Sequence, residues 1–314
     1  MTATPARRWA AVGAVLALSA ALTTALAGFD AVSGKAASET RRLAFVKTFD
    51  RGFTYNLVIS GPFGGNRVRI RKRVIGRPSF SPDGKRVAFS AAVTDGSDGR
   101  YGIYVARTGG SGVKRLTAPK YADLDPAWSP NGKKIAFSRD RLGNSRPSSC
   151  CQLARMNADG SRVQFMSSTR GGTLPSWAPD SKRVVYRAPG GLRIKRLGES
   201  GSRSLRRGSN LTDPAWSPDG KRIAFIAHRG GGRSRLRTIA PGGGSAHTRI
   251  DSGRMMETPA WGSNSKTLWF VGYRGPGDEG RTTSAVWRQP ASGARQQMLI
   301  NDKLQVYHLA FTQR

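Results

Sequence analysis

Short apolar segments recur along the chain, and each is followed by a polar turn and a second apolar segment. Their prolines, Pro78, Pro126, Pro175, Pro214 and Pro259, are spaced by 48, 49, 39 and 45 residues. A repeat of this length fixes the architecture before local structure is considered. Five stretches align without gaps: RPSFSPDGKRVAFS from Arg77, DPAWSPNGKKIAFS from Asp125, LPSWAPDSKRVVYR from Leu174, DPAWSPDGKRIAFI from Asp213 and TPAWGSNSKTLWFV from Thr258.

Each repeat predicts four antiparallel strands. In the unit that starts at Asp213, an apolar strand ends at Trp216 and runs into Ser-Pro-Asp-Gly, where proline presets φ and glycine accepts a positive φ. The next strand and a further hairpin complete about 45 residues, which is the length of one propeller blade. We expect the turn residues Asp83, Asp180 and Asp219 to cap backbone amides, and the repeated aromatic residues to face the core.

The two ends of the chain supply the parts of one more unit. Leu43-Ala44-Phe45-Val46 matches the second strand of the repeat, and His308-Leu309-Ala310-Phe311 matches the first strand. The sequence therefore predicts an all-β fold, a six-bladed β-propeller closed by a C-terminal strand that completes the N-terminal blade. A seventh blade would need another repeat, for which the chain has little room.

The repeat resembles a known family. W-S-P-D-G-K-x-I-A-F followed by a second hairpin is similar to the TolB-type, WD-like β-propeller repeat, and the resemblance covers residues 41–314. It implies a propeller alone, because nothing in the sequence matches the α/β domain of TolB or the hydrolase domain of prolyl-oligopeptidase relatives. Fold similarity does not by itself transfer a function.

The N-terminus has the layout of a secretory signal. Arg7 and Arg8 precede an apolar run from about Ala10 to Leu22, and Ala25-Leu26-Ala27 follows. We expect a signal peptide over residues 1–27, a linker over 28–40 and an extracytoplasmic mature protein without a transmembrane helix. A retained N-terminal anchor is the alternative.

Composition favours a folded chain over a disordered one and raises the question of an anionic partner. The chain of 314 residues is 38% apolar, with a net charge of +33. Because 39 of the 52 basic residues are arginine, Arg-rich codon usage is an alternative explanation. The alternating Arg67, Arg69, Arg71 and Arg73 would either bind a polyanion or protect an outer strand from edge-to-edge pairing. No sequence signature of a nucleic-acid-binding fold accompanies them, so we do not expect a nucleic-acid partner.

The mouth of the channel is the candidate ligand site, because the innermost strands of a propeller line it. The residue before each repeat proline, with its C-terminal counterpart, predicts a ring: Arg77, Asp125, Leu174, Asp213, Thr258 and His308. Such a ring could hold a small polar ligand or a cation. Alternatively, the two aspartates pair with Arg77 or cap local backbone. We predict no cofactor, and a divalent cation stays open.

Cys150 and Cys151 are adjacent, and they are the only cysteines. Neighbouring Cα atoms lie about 3.8 Å apart, below the usual disulfide range, so a bond between them would be strained. A vicinal disulfide, two thiols and intermolecular bonds all remain open.

The sequence lacks several signatures of enzymes, namely G-x-S-x-G, G-x-x-x-x-G-K-[ST] and H-E-x-x-H. We therefore expect a monomeric, non-catalytic binding or scaffold protein that engages a protein or an anionic envelope polymer through a propeller face. The alternative is a channel-mouth lyase or hydrolase that uses His308 with Asp125 or Asp213.

Overall fold

The protein folds as an all-β propeller. The computed structural model describes residues 42–48, 55–61, 65–94, 100–140, 151–253, 255–276, 282–292, 297–301 and 306–311. These residues form 24 strands and no helix, so none of them provides a helix that could span a membrane. Residues 40–314 make up one compact unit. The proposed signal and linker, residues 1–40, lie outside the described residues.

The strands form six antiparallel sheets of four, and each sheet is one blade. From the innermost strand outwards, blade 1 consists of β24 (Val306–Phe311), β1 (Leu43–Thr48), β2 (Tyr55–Ser60) and β3 (Val68–Ile70). Blade 2 consists of β4 (Val74–Phe80), β5 (Arg86–Ala92), β6 (Tyr101–Arg107) and β7 (Lys114–Arg115). Blade 3 consists of β8 (Ala122–Trp128), β9 (Lys134–Asp140), β10 (Cys151–Asn157) and β11 (Gln164–Arg170).

The second half of the ring repeats this order. Blade 4 consists of β12 (Thr173–Trp177), β13 (Arg183–Ala188), β14 (Gly191–Arg196) and β15 (Arg203–Arg207). Blade 5 consists of β16 (Leu211–Trp216), β17 (Ile223–Arg229), β18 (Arg233–Ala240) and β19 (Gly243–Ser252). Blade 6 consists of β20 (Met256–Trp261), β21 (Thr267–Pro276), β22 (Thr282–Pro290) and β23 (Gln297–Asn301). The predicted six blades are confirmed.

The C-terminal strand closes the ring in the predicted way. Strand β24 pairs antiparallel with β1, with Leu43 opposite Phe311 and Ala44 opposite Ala310. The first and last strands of the propeller thus share one sheet, which removes the free edge that an open array would leave.

The hydrophobic core is divided among the six seams between neighbouring blades. At the seam between blades 4 and 5, Val185 and Leu192 pack with Trp216 and Phe225, and all four are buried. At the closing seam, Val271 of blade 6 packs with residues of blade 1 such as Phe45 and Leu309. Each blade is therefore held by apolar contacts on both of its faces.

The repeated aromatic residues lie where the pattern predicted. These residues are only 3–8% exposed, so each belongs to the core and only its edge reaches the channel; they are Phe80, Trp128, Trp177, Trp216 and Trp261.

Candidate functional site

The six innermost strands surround a central channel. A cavity of about 140 Å³ forms part of this channel. It is lined by the repeat prolines, by the edges of the repeated aromatic residues and by small residues such as Ser79, Ala127 and Ala215. One end of the channel lies where the inner strands begin, near Arg77. The other end is ringed by the hairpin turns that follow these strands. We call the first end the carboxylate mouth, after Asp125, Asp213 and Glu257, and the second the turn mouth.

A β-bulge interrupts five inner strands at the carboxylate mouth. The pairing of β8 with β9, for example, shifts between Leu124 and Ala127, so Asp125 and Pro126 lie opposite a single residue. A bulge of this kind turns the backbone and redirects a side chain. The same irregularity occurs in β4, β12, β16 and β20.

The bulges force non-glycine residues into the left-handed backbone region. Asp125, Leu174, Asp213 and Thr258 have φ between 47° and 55°, a conformation that costs about 1–3 kcal/mol for a residue with a side chain. In blade 2 the left-handed residue is instead Gly76, with φ of 71°. In that blade three residues of β4, rather than two, lie opposite one residue of β5. Arg77 therefore follows the left-handed residue, whereas its counterparts in blades 3–6 are themselves the left-handed residues.

The structure brings Arg77, Asp125 and Asp213 together. The backbone N–H of Arg77 donates a hydrogen bond to Oδ1 of Asp125 at 3.1 Å, and Nε of Arg77 lies 3.9 Å from Oδ1 of Asp213. The side chains of Arg77 and Asp213 are 11% and 9% exposed. Arg77 thus contacts both aspartates, which is the pairing that the local, structural interpretation expected; a ligand site formed by these residues stays a prediction.

Two other predicted ring residues have structural roles. Thr258 is buried, and its Oγ1 accepts a hydrogen bond from the backbone N–H of Leu309 at 3.2 Å, which ties blade 6 to blade 1. The backbone N–H of Leu174 donates to Oγ of Ser138 at 3.2 Å, which ties blade 4 to blade 3. His308 lies on β24, but its side chain is outside what the structure describes, so its place in the ring stays a prediction.

Glu257 is a further carboxylate of this mouth that the sequence analysis missed. It is half-buried on β20, one residue before Thr258, and its Oε2 accepts a hydrogen bond from the Tyr273 hydroxyl at 2.8 Å. The prediction took only the residue next to each proline, whereas Glu257, one residue earlier, is near enough to Asp213 for their charges to interact. A carboxylate directly before the predicted ring position was the available signal.

Two of the carboxyl groups at this mouth, those of Asp125 and Glu257, have raised pKa values. Burial raises the pKa of Asp125, against the opposing charge and backbone hydrogen bond of Arg77. Burial also raises the pKa of Glu257; the hydrogen bond from Tyr273 opposes this shift, and the negative charge of Asp213 adds to it. Asp213 and Glu257 repel each other when both are ionised, which favours a cationic ligand or a proton.

Asp123 lies on β8, the strand that also carries Asp125, but it serves the fold. Asp123 is fully buried and accepts two hydrogen bonds from Arg139, at 2.7 and 2.8 Å. The guanidinium also lies 4.4 Å from the ring centre of Tyr121 and 5.2 Å from that of Phe137. Since its charge is fully matched, Asp123 is not available to a ligand.

The turn mouth has a more regular chemistry. Oδ1 of Asp219 accepts hydrogen bonds from the Ser217 hydroxyl at 2.6 Å and from the backbone N–H of Lys221 at 3.0 Å. Asp83 and Asp180 make the same bond to the residue two positions later, as predicted. Partial burial alone would raise the pKa of Asp219, but the Ser217 and Lys221 hydrogen bonds and the charge of Arg222 outweigh it and lower the pKa.

Three of the arginines that follow these turns contact the neighbouring blade. The guanidinium groups of Arg86, Arg183 and Arg222 lie over the tryptophan rings of the next blade, Trp128, Trp216 and Trp261, at 4.7–5.2 Å from their centres. Each guanidinium therefore joins neighbouring blades by a cation–π contact.

The remaining predicted sites are placed only in part. Arg67, Arg69, Arg71 and Arg73 are all exposed, on or beside the outer strand β3, so they fit either edge protection or polyanion binding. Cys151 begins β10, whereas Cys150 lies outside the described residues, and a disulfide between them stays a prediction. The described residues contain no group of three His, Cys, Asp or Glu side chains that could hold a metal ion.

Comparison with known proteins gives one family and one fold. The family described as "TolB beta propeller domain" matches residues 31–263. TolB from Acinetobacter baumannii has a similar structure with a TM-score of 0.73 at 20% identity, over 99% of this chain and 74% of that chain. The structure described as putative TolB from Agrobacterium tumefaciens gives a TM-score of 0.63 at 15% identity, over 86% and 98%.

The same fold also occurs in an enzyme. An oligogalacturonate lyase in complex with manganese gives a TM-score of 0.57 at 10% identity, over 83% of this chain and 74% of that chain. No curated protein sequence matches the chain. At these identities the similar structures show the fold alone.

Proposed function

We propose that this chain, which belongs to the TolB beta propeller domain family, is an exported, non-catalytic binding protein whose ligand site is the carboxylate mouth of the channel. The partner we propose for this mouth is a protein segment that presents a lysine or arginine side chain. An anionic envelope component, the other partner class that the charge suggests, would bind elsewhere on the propeller.

The observation that carries this proposal is the arrangement of Asp125, Asp213 and Glu257 around Arg77. The carboxyl groups belong to rigid inner strands, so they are held in place before a ligand arrives, which lowers the entropic cost of binding. Burial disfavours the ionised forms of Asp125 and Glu257, and the negative charge of Asp213 acts against the ionisation of Glu257 as well. A cationic side chain would supply the missing positive charge.

The exported location rests on the N-terminal sequence. Arg7 and Arg8, the apolar run from Ala10 to Leu22 and the segment Ala25-Leu26-Ala27 are typical of a secretory signal. The mature protein would then act outside the cytoplasm, where a propeller face meets envelope proteins and polymers.

A channel-mouth enzyme is the second candidate, and one observation favours it. Asp125 and Glu257 have raised pKa values, which is what a general acid needs near neutral pH. This function would require a substrate whose leaving group reaches these carboxyls, and His308 would be its further candidate residue.

Calorimetric titration of the mature protein with the peptide pentalysine at low salt tests the binding proposal. We expect the double variant Asp213→Asn with Glu257→Gln to bind at least about tenfold more weakly, which corresponds to about 1.4 kcal/mol. The matched control is Glu199→Gln with Asp251→Asn, because these exposed carboxylates pair with Arg196 and Arg235 away from the channel. Equal losses in both variants, or no binding by the unmodified protein, would overturn the proposal.

A further inference from the structure

Five lysines occupy equivalent positions around the turn mouth. Each directly follows one of the turns after β4, β8, β12, β16 and β20, and each is exposed; they are Lys85, Lys133, Lys182, Lys221 and Lys266. Because the blades are arranged around one axis, equivalent residues lie at a similar level around the channel. The result is a lysine ring on the face formed by the turns.

The backbone of these lysines has the same role in all five turns. Each backbone N–H donates to the Oδ1 of an aspartate or asparagine two residues earlier, at 2.9–3.1 Å, and any residue except proline could do this. In the described part of the chain, no hydrogen bond or salt bridge involves any of the five ammonium groups. The charges of Lys85 and Lys221 help to lower the pKa of Asp83 and Asp219, but the corresponding acceptors before Lys133 and Lys266 are asparagines. Local charge pairing therefore does not explain lysine at all five positions.

The next residue along the chain gives a useful contrast. Arg86, Arg183 and Arg222 stack on tryptophan rings of neighbouring blades, so arginine has a packing role at that position. Lysine occupies the preceding position in all five turns, although arginine supplies 39 of the 52 basic residues of the chain. A mobile point charge at the surface differs from the planar guanidinium fork that binds carboxylates or phosphates in pairs.

The turn mouth carries an excess of positive charge. Arg42 also lies at this end and donates a hydrogen bond to the backbone oxygen of Thr108 at 3.5 Å. The turns contain three carboxylates, Asp83, Asp180 and Asp219, and each already accepts hydrogen bonds within its own turn. Besides Arg42, the basic residues that directly follow these turns are Lys85, Lys133, Lys182, Lys221, Lys266, Arg86, Lys134, Arg183 and Arg222.

We propose that the turn mouth is a docking surface for an anionic lipid bilayer. A ring of point charges at one level matches a flat array of lipid phosphates, and each lysine within a Debye length of such a surface strengthens binding roughly fivefold. A linear polyanion would be better matched by a continuous groove of arginine forks. This inference rests on the proposed binding function and names a second surface for it, opposite the carboxylate mouth.

Vesicle sedimentation tests the proposal with the mature protein, residues 28–314. The probes are vesicles of phosphatidylcholine alone and vesicles with about one-third phosphatidylglycerol, which supplies the anionic surface. The test variant combines Lys85→Gln, Lys133→Gln, Lys182→Gln, Lys221→Gln and Lys266→Gln. We expect the unmodified protein to bind only the anionic vesicles, and the variant to lose affinity by roughly a hundredfold or more.

A control variant of the same charge separates a specific face from the net charge of the whole protein. Five exposed basic residues lie at the opposite end of the blades, and their side chains have no hydrogen bond or salt bridge among the described residues; they are Lys120, Arg170, Arg187, Arg207 and Arg233. Their replacement by glutamine should weaken vesicle binding by no more than about fivefold. Equal losses in the two variants, or full binding by the lysine variant, would overturn the proposal. Thermal unfolding checks that both variants fold.

Two further measurements distinguish the bilayer proposal from a soluble polyanion as the occupant and from the function proposed for the carboxylate mouth. If the lysine variant loses binding to long-chain polyphosphate in solution but keeps binding vesicles, the occupant is a soluble polyanion and the bilayer proposal is wrong. The lysine variant should still bind pentalysine, and the Asp213→Asn with Glu257→Gln variant should still bind vesicles. The failure of one surface therefore leaves the evidence for the other intact.

Discussion

Carboxyl groups at the two mouths of the channel have pKa values that are shifted in opposite directions. At the turn mouth, the Ser81 hydroxyl and the Lys85 amide donate to Asp83, and these hydrogen bonds lower its pKa. At the carboxylate mouth, burial raises the pKa of Asp125 and of Glu257. The difference lies in the number of donors around each carboxylate. A fully satisfied carboxylate serves the fold, whereas one held in excess over its donors is available to a ligand.

The repeat itself shows the same division. Each of the five turns that carry the lysine ring places a polar acceptor two residues before a lysine amide, because each of these hairpins has the same backbone to satisfy. The position before the repeat proline instead holds Arg77, Asp125, Leu174, Asp213 and Thr258 in successive blades. The bulge requires only a backbone conformation there, so the side chain is free to differ from blade to blade.

The largest expected effect concerns a carboxylate that lies near the carboxylate mouth but belongs to the fold. Replacing Asp123 by alanine leaves the buried Arg139 without its two charged hydrogen bonds and should lower the free energy of unfolding by about 3–5 kcal/mol. Denaturant unfolding followed by tryptophan fluorescence measures this change.

Asp125→Asn is the matched control for Asp123→Ala. It keeps the acceptor for the Arg77 amide and removes a charge that burial disfavours, so it should change the unfolding free energy by less than about 1 kcal/mol. A similar loss in both variants would mean that the site carboxylate is as structural as Asp123, and the distinction between them would fail.

A smaller effect distinguishes the backbone of the two mouths. Gly76→Ala places a Cβ atom 2.5 Å from Oδ1 of Asp125 at a φ of +71°, so it should displace that carboxylate and cost about 1–3 kcal/mol. At the turn mouth, Gly220→Ser should cost only about 1 kcal/mol. The nearest atom to its Cβ would be Cγ of Pro179 at 3.4 Å.

Two natural serines explain why the turn should tolerate the change. Ser181 and Ser265 occupy the position of Gly220 in their own turns, with φ of 54° and 55°. Thermal unfolding of the Gly76 and Gly220 variants ranks the two costs. If Gly220→Ser proved the more damaging change, the two mouths would not differ in the way that the contacts indicate.

The sequence predicts the fold in detail because its turns are local. Ser-Pro-Asp-Gly specifies a hairpin from four residues, and the spacing of the prolines then counts the blades. The closure by β24 and β1 follows from matching two short strands to the same repeat. None of these steps needs the distance between residues that are remote in sequence.

The candidate site is predicted only in outline, because its geometry depends on the bulges. The sequence places Asp125 and Asp213 in one ring, but it does not show that the extra bulged residue in blade 2 moves Arg77 away from the common position. It also does not show that Glu257 joins the site, since that depends on the path of β20. The full burial of Asp123 with Arg139 likewise arises from packing between strands.

The smallest effect is a difference in how the two mouths respond to pH. Burial raises the pKa of Glu257 above its ordinary value of 4.5, so its ionisation opposes folding. Relative to Glu257→Gln, the unmodified protein should lose stability as the pH rises through the raised pKa. For Asp219, burial is outweighed by the Ser217 and Lys221 hydrogen bonds, which lower the pKa below 3.8. Its stabilisation is therefore present at neutral pH and lost as the pH falls through the lowered pKa.

Denaturant unfolding of both variants between about pH 3 and pH 8, each compared with the unmodified protein, measures the two signs. Glu257→Gln should gain relative stability as the pH rises above 4.5, the ordinary pKa of the group. Asp219→Asn should be the less stable protein at neutral pH, and this deficit should shrink as the pH falls below 3.8. Curves that run in the same direction would show that donors do not distinguish the two sets of carboxylates. Opposite slopes would tie the difference to the hydrogen bonds that only the turn mouth supplies.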